Sequence, residues 1–109
     1  MSDRITHIGS KAQHDDLVAK NPGKIMVVDF HAAWCGPCHM IAPKYETLAN
    51  ECPEIIFTKV DVDAVPELSQ QYGIRAMPTF KVVKDGEDLE TLQGANAAKL
   101  EALIEKYKA

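Results

Sequence analysis

At 109 residues the chain is long enough for one domain with a real core, and it reads as a single domain over 1–109. Hydrophobic residues make up 46% and charged residues 26%, ordinary for a globular protein, and the net charge of −4 includes no basic stripe of the kind nucleic-acid binding needs. No apolar run approaches membrane-spanning length, Met1-Ser2-Asp3-Arg4 leads into no apolar leader, and three unevenly placed cysteines cannot form a disulfide scaffold, so a reducing compartment, the cytosol, is expected.

Ile5 to Ile8 predicts a short first strand. Ser10-Lys11-Ala12-Gln13 matches a capping box and predicts a helix that ends before Asn21-Pro22-Gly23. Ile25 to Ala32 is apolar on both faces, the pattern of a central parallel strand. A helix follows from Cys35 to Cys52, and Ile55 to Val62 forms the next strand. Val65 to Tyr72 predicts a short helix, with Asp63 as its cap and Gly73 as its terminator. Thr79 to Lys84 and Leu89 to Gln93 predict strands joined by the hairpin signal Asp85-Gly86. Ala97 to Tyr107 places apolar residues at 97, 100, 103, 104 and 107, so a last helix covers the sheet. The predicted order is βαβαβαββα.

Cys35-Gly36-Pro37-Cys38 sits at the junction of the central strand and the longest helix. Two cysteines with two residues between them can close a small disulfide ring, and beside a βαβ pattern they read as a redox motif. Unpaired backbone N–H groups and the positive end of the helix dipole favour a thiolate at Cys35, which makes it the expected nucleophile. Cys38 heads the stripe Cys38, Ile41, Tyr45, Leu48, Cys52, so it is expected to face the core, to be the more buried of the pair, and to act as the resolving thiol. Pro37 supplies a helix-compatible φ in the first turn and stiffens the ring. Cys52 reads as a core cysteine.

Three other readings compete for these residues. The cysteines could be unlinked core residues, but their place at a strand–helix junction speaks against that. Cys35 to His39 also spells the haem-attachment pattern C-x-x-C-H, which normally accompanies export and an all-helical setting. One C-x-x-C is only half a structural zinc site, and no second pair follows, so no metal is expected.

Asp29 is a carboxylate inside an apolar strand, expensive unless protonated or paired. It reads as the proton acceptor and donor for Cys38. Lys59, set inside Ile56-Phe57-Thr58-Lys59-Val60, reads as an ion-pair partner that could tune it. Met77-Pro78-Thr79 marks the start of a strand, since proline cannot sit within a central one.

Together these segments closely resemble the thioredoxin family. Val27-Val28-Asp29-Phe30, Trp34-Cys35-Gly36-Pro37-Cys38, Met40-Ile41-Ala42-Pro43, Lys59-Val60-Asp61-Val62-Asp63, Tyr72-Gly73-Ile74-Arg75-Ala76-Met77-Pro78-Thr79 and Gly94-Ala95 match in order, over nearly the whole chain. Asp61-Val62-Asp63 and Ala76-Met77-Pro78-Thr79-Phe80 look more like the eukaryotic cytosolic branch than the bacterial one. The resemblance implies an α/β thioredoxin fold, a central five-stranded mixed sheet flanked by four helices. It implies attack on substrate disulfides by Cys35, resolution by Cys38, and a cis bond before Pro78. It implies a substrate-docking surface of Trp34, Gly36, Pro37, Ala76, Met77, Pro78, Gly94 and Ala95. No bound cofactor is implied beyond a redox-active Cys35–Cys38 disulfide. An NADPH-dependent thioredoxin reductase would regenerate the dithiol of a cytoplasmic, monomeric protein with disulfide-containing protein substrates. Two departures stand out: His39 replaces the lysine usual after the second cysteine, and His31 stands where a large aromatic residue is common.

The expected function is disulfide reduction by covalent catalysis. A secretory oxidant or isomerase is disfavoured by the Gly-Pro between the cysteines, and a purely structural binding subunit by the intact cysteine pair.

Overall fold

The computed structural model describes residues 4–108, so Met1 to Asp3 and Ala109 lie outside it. Its elements follow the chain as β1 (Ile5–Ile8), α1 (Lys11–Lys20), β2 (Ile25–His31), α2 (Gly36–Glu51), β3 (Ile56–Asp61), α3 (Pro66–Gln71), β4 (Thr79–Lys84), β5 (Glu87–Gln93) and α4 (Ala97–Tyr107). The sheet order is β1-β3-β2-β4-β5, which puts β2 in the middle. β2 runs parallel to β3 and antiparallel to β4, so the central strand has mixed rather than purely parallel neighbours. No helix among the described residues is long and apolar enough to cross a membrane.

Side chains alternate across β2, and this divides the core in two. Val27 packs with Ile41, Tyr45 and Leu48 of α2 and with Leu100, Leu103 and Ile104 of α4. Met26, Val28 and Phe30 pack on the other face with Leu68 and Tyr72, and with Leu17 and Val18 of α1. Fully burying an aliphatic or aromatic side chain is worth ~1.5–3 kcal/mol, so either layer stabilises β2 substantially. α2 is tied to the sheet by a polar contact as well: the buried Tyr45 hydroxyl donates to the Thr58 carbonyl at 2.7 Å. The helix continues through Pro43, which has no N–H for the carbonyl four residues back.

Local signals set most helix and strand ends, and three features differ from expectation by more than a one-residue shift. Ser10 caps α1 by accepting from Gln13 N–H at 3.0 Å, but Gln13 Oε1 accepts from Gly9 N–H (2.7 Å) rather than from Ser10 itself. Asp63 does not cap α3; Val65 occupies the N-cap without a side-chain bond, and the Asp63 carboxylate is engaged by Trp34. Gly73 ends that helix as expected. With φ of +65° it lets its own N–H reach Gln70 O and Ile74 N–H reach Ser69 O, the paired bonds of a Schellman stop. The third difference is that β5 starts at Glu87, two residues before Leu89. Asp85 and Gly86 turn tightly with φ of 52° and 83°, so the chain re-enters the sheet at once.

The one fully buried side chain of α1 is a histidine. His14 Nε2 bonds the Tyr72 hydroxyl at 2.8 Å, and the two rings meet edge-on. His14 Nδ1 is buried without a hydrogen-bond partner. Charging this ring would place a second N–H against apolar surroundings, so burial pushes its pKa down, against a smaller upward pull from Asp15. A histidine held below its ordinary value favours the folded state fully above pH ~6.5, and that contribution is lost as pH falls through the folded value. His14→Phe is therefore expected to shrink the difference in urea stability between pH 7.5 and pH 5.5, whatever it does to stability at pH 7.5. An unchanged difference would show that His14 does not carry the acid sensitivity.

Candidate active site

β2 ends at His31, the chain turns through Ala32, Ala33 and Trp34, and α2 begins with Cys35 as its N-cap. Cys35 N–H donates back to the Ala32 carbonyl at 3.1 Å, closing the turn. Cys35 and Cys38 form a disulfide with Cα atoms 5.3 Å apart. The Cys35 sulfur also accepts the Cys38 backbone N–H at 3.2 Å. One orphan donor of the helix N-terminus is thus aimed at the Cys35 sulfur.

Burial does not rank the two thiols as expected: Cys35 is 4% exposed and Cys38 5%. The helix stripe does face the core, but Cys35 is covered from elsewhere in the chain. Both cysteines pack with Ala32, Val62 and Met77. What distinguishes them is position, with Cys35 at the helix start and Cys38 inside the first turn.

The residues expected to dock substrate fall around this pair. Trp34 is 69% exposed, and its indole Nε1–H donates to Asp63 Oδ2 at 2.9 Å. Gly36 and Pro37 are exposed at the start of α2. Met77 touches the cysteines, Ala76 beside it is exposed, and the Met77–Pro78 peptide is cis, with Pro78 buried. Gly94 N–H donates to the Pro78 carbonyl at 2.9 Å, which carries Gly94 and the exposed Ala95 to the same loop. The pairing of Trp34 with Asp63 spans 29 residues, and no local spacing announces it.

Asp29 lies in the middle of β2, opposite Lys59 of β3 and Phe80 of β4. By alternation it shares the sheet face of Val27, the face covered by α2. Its side chain is 2% exposed, and Lys59 Nζ stands 4.0 Å from Oδ2, a loose ion pair. Asp29 Oδ1 has no hydrogen-bond partner. With Oδ1 unpartnered, desolvation pushes the Asp29 pKa up to about 7, and Lys59 pulls it only partly back.

His31 is half-buried, and its pKa is pushed down by burial first and then by the positive charge of Lys59, with Asp61 opposing. Cys52 is buried at the far end of α2, where burial pushes its thiol up. Among the described residues, no group of three or more His, Cys, Asp or Glu side chains is placed to hold a metal ion.

A cysteine pair at the mouth of a helix that follows the central strand of such a sheet is the arrangement of thiol–disulfide oxidoreductases. The thioredoxin family profile matches residues 5–106. Thioredoxin 1 of Plasmodium falciparum is 46% identical over 102 residues, covering 94% of this chain and 96% of that protein. The H-type thioredoxin of Chlamydomonas reinhardtii is 50% identical over 112 residues, covering 100% of this chain and 99% of that protein. The crystal structure of Fasciola hepatica thioredoxin superposes with a TM-score of 0.91 at 46% identity, covering 94% of this chain and 99% of that one. The chain belongs to the thioredoxin family.

Asp29 makes stability depend on pH with a definite sign. An unfolded aspartate titrates near ~4, so between ~4 and about 7 only the folded state keeps the proton. The resulting stability is full below ~4 and is lost as pH rises through the folded value. Well above it the penalty is on the order of 4 kcal/mol. Asp29→Asn is expected to raise urea stability at pH 8 by roughly 2–4 kcal/mol, at pH 5 by about 1–2 kcal/mol, and to change it little at pH 4. A variant less stable than wild type at pH 8 would show that the Lys59 pair outweighs desolvation.

Proposed function

We propose that the protein reduces protein disulfides, with Cys35 as nucleophile and Cys38 as resolving thiol. The Cys35 thiolate attacks one sulfur of the substrate disulfide. A mixed disulfide forms and the substrate's second sulfur leaves as a thiolate. Cys38, deprotonated by the Asp29 carboxylate, then attacks the Cys35 sulfur and releases the first substrate sulfur. The substrate gains two electrons and two protons, one proton passed from Cys38 by way of Asp29 and the other taken from solvent, and Cys35–Cys38 is left as a disulfide. Resolution is intramolecular within one helical turn, so it benefits from high effective molarity. Lys59 tunes the Asp29 proton.

The observation that carries this reading is the Cys35 sulfur, disulfide-bonded to Cys38 at the N-terminus of α2 with a backbone N–H already aimed at it. Trp34, Gly36, Pro37, Ala76, Met77, Pro78, Gly94 and Ala95 form the surface on which substrate docks. Regeneration takes two electrons from NADPH through a thioredoxin reductase. The protein acts in the cytoplasm as a monomer and as one domain over 1–109.

Insulin-disulfide reduction driven by NADPH and a thioredoxin reductase tests the whole reading. Turnover above the reductase-only control is expected; none would point to a binding role for the same surface. Cys35→Ser is expected to abolish turnover, and Cys38→Ser to accumulate mixed disulfides with substrate, visible by mass spectrometry. Trapping by Cys35→Ser instead would reverse the two roles.

A further inference from the structure

His39 is an exposed residue one position past the redox pair, yet its ring is not free. Nε2 lies 2.8 Å from the Ala33 carbonyl, six residues back and outside the helix. A carbonyl can only accept, so Nε2 carries the proton in this contact. The reach backward follows from helix geometry, because side chains lean toward the N-terminus and cover the preceding turn. The backbone N–H of His39 also donates to the Cys35 carbonyl at 3.3 Å. One residue therefore holds the carbonyls on both sides of Trp34, those of Ala33 and Cys35.

Trp34 is the largest exposed apolar side chain beside the cysteines, and its ring is anchored at the other end by Asp63. Asp63 thus bonds the indole and His39 the adjoining backbone, although most of the ring's surface faces water. We infer that His39 is a positioning residue that pins the Ala33–Cys35 turn and so presents Trp34 in a set pose for docking disulfide substrates. The docking half rests on the surface proposed above; the pinning half does not.

This role needs a donor at the Nε2 position. Glutamine offers an amide N–H at nearly the same reach, and alanine offers none. Pinning lowers the ordering cost of binding, so its loss belongs in KM more than in kcat. The two hydrogen bonds of His39 go to carbonyls and not to a sulfur, so the chemical step has no direct stake in its ring.

The test uses the full chain with His39→Ala, His39→Gln and Trp34→Ala, each checked by urea melts. Trp34 is the sole tryptophan, so fluorescence anisotropy and acrylamide quenching report on its ring directly. His39→Ala is expected to lower the anisotropy and increase quenching, and to raise KM for insulin about threefold to tenfold, the factor one hydrogen bond is worth. Its kcat is expected to stay within about twofold. His39→Gln is expected to restore wild-type values in all of these. Unchanged anisotropy in His39→Ala, or a glutamine variant that behaves like alanine, overturns the pin. Lowered anisotropy with unchanged KM, while Trp34→Ala raises KM, overturns its role in docking. If Trp34→Ala leaves KM unchanged, the docking surface itself is wrong and the docking half of the inference falls with it, while the anisotropy still judges the pin.

Discussion

Burial of β2 on both faces is the constraint on which the structure depends. The strand lies third of five, with hydrogen-bonded neighbours on both edges and a helical layer over each face. Val27, Val28 and Phe30 have no exposed surface. A strand held on four sides has a fixed end, and that end delivers the turn from His31 to Cys35. The redox pair needs a set distance from a helix N-terminus, and β2 supplies the rigid platform for it. The cis Met77–Pro78 segment leads into β4, β2's antiparallel neighbour, so the sheet brings it beside the cysteines.

The same burial creates the molecule's main internal conflict. A native domain is stable by only about 5–15 kcal/mol, so a penalty on the order of 4 kcal/mol for ionising Asp29 is a large fraction. Lys59 stands across the ladder at the limit of an ion pair and offsets part of this cost. Burial, only partly opposed by Lys59 at this spacing, pushes the Asp29 carboxyl up to about 7.

A second buried polar feature lies on the opposite face, and its logic differs. His14 and Tyr72 share a single hydrogen bond that leaves His14 Nδ1 without a partner, and Tyr72 packs in turn on Phe30 of β2. This pair joins α1 to the far layer without contributing a group to the cysteines. Around the redox pair, by contrast, polar contacts work at the surface. Asp63 accepts from the indole of Trp34, and His39 bonds the Ala33 carbonyl next to it in the chain.

The order of elements, the capped start of α1 at Ser10, the Asp85-Gly86 turn and the stop at Gly73 were legible because each depends on residues a few positions apart. The redox motif was legible for the same reason: spacing places Cys38 in the first turn behind Cys35, and the helix start favours a thiolate. Asp29 was legible because a lone carboxylate in an apolar strand conflicts with its surroundings. Long-range packing decided the rest. It gave β2 one parallel and one antiparallel neighbour, and it covered Cys35 as fully as Cys38 through Val62 and Met77. It also took Asp63 from the cap of α3 to the indole of Trp34. The sequence by itself determined the chemistry, because local spacing sets which groups share a turn. Only the tertiary structure decided exposure and partners, because those depend on segments that meet after the sheet has formed.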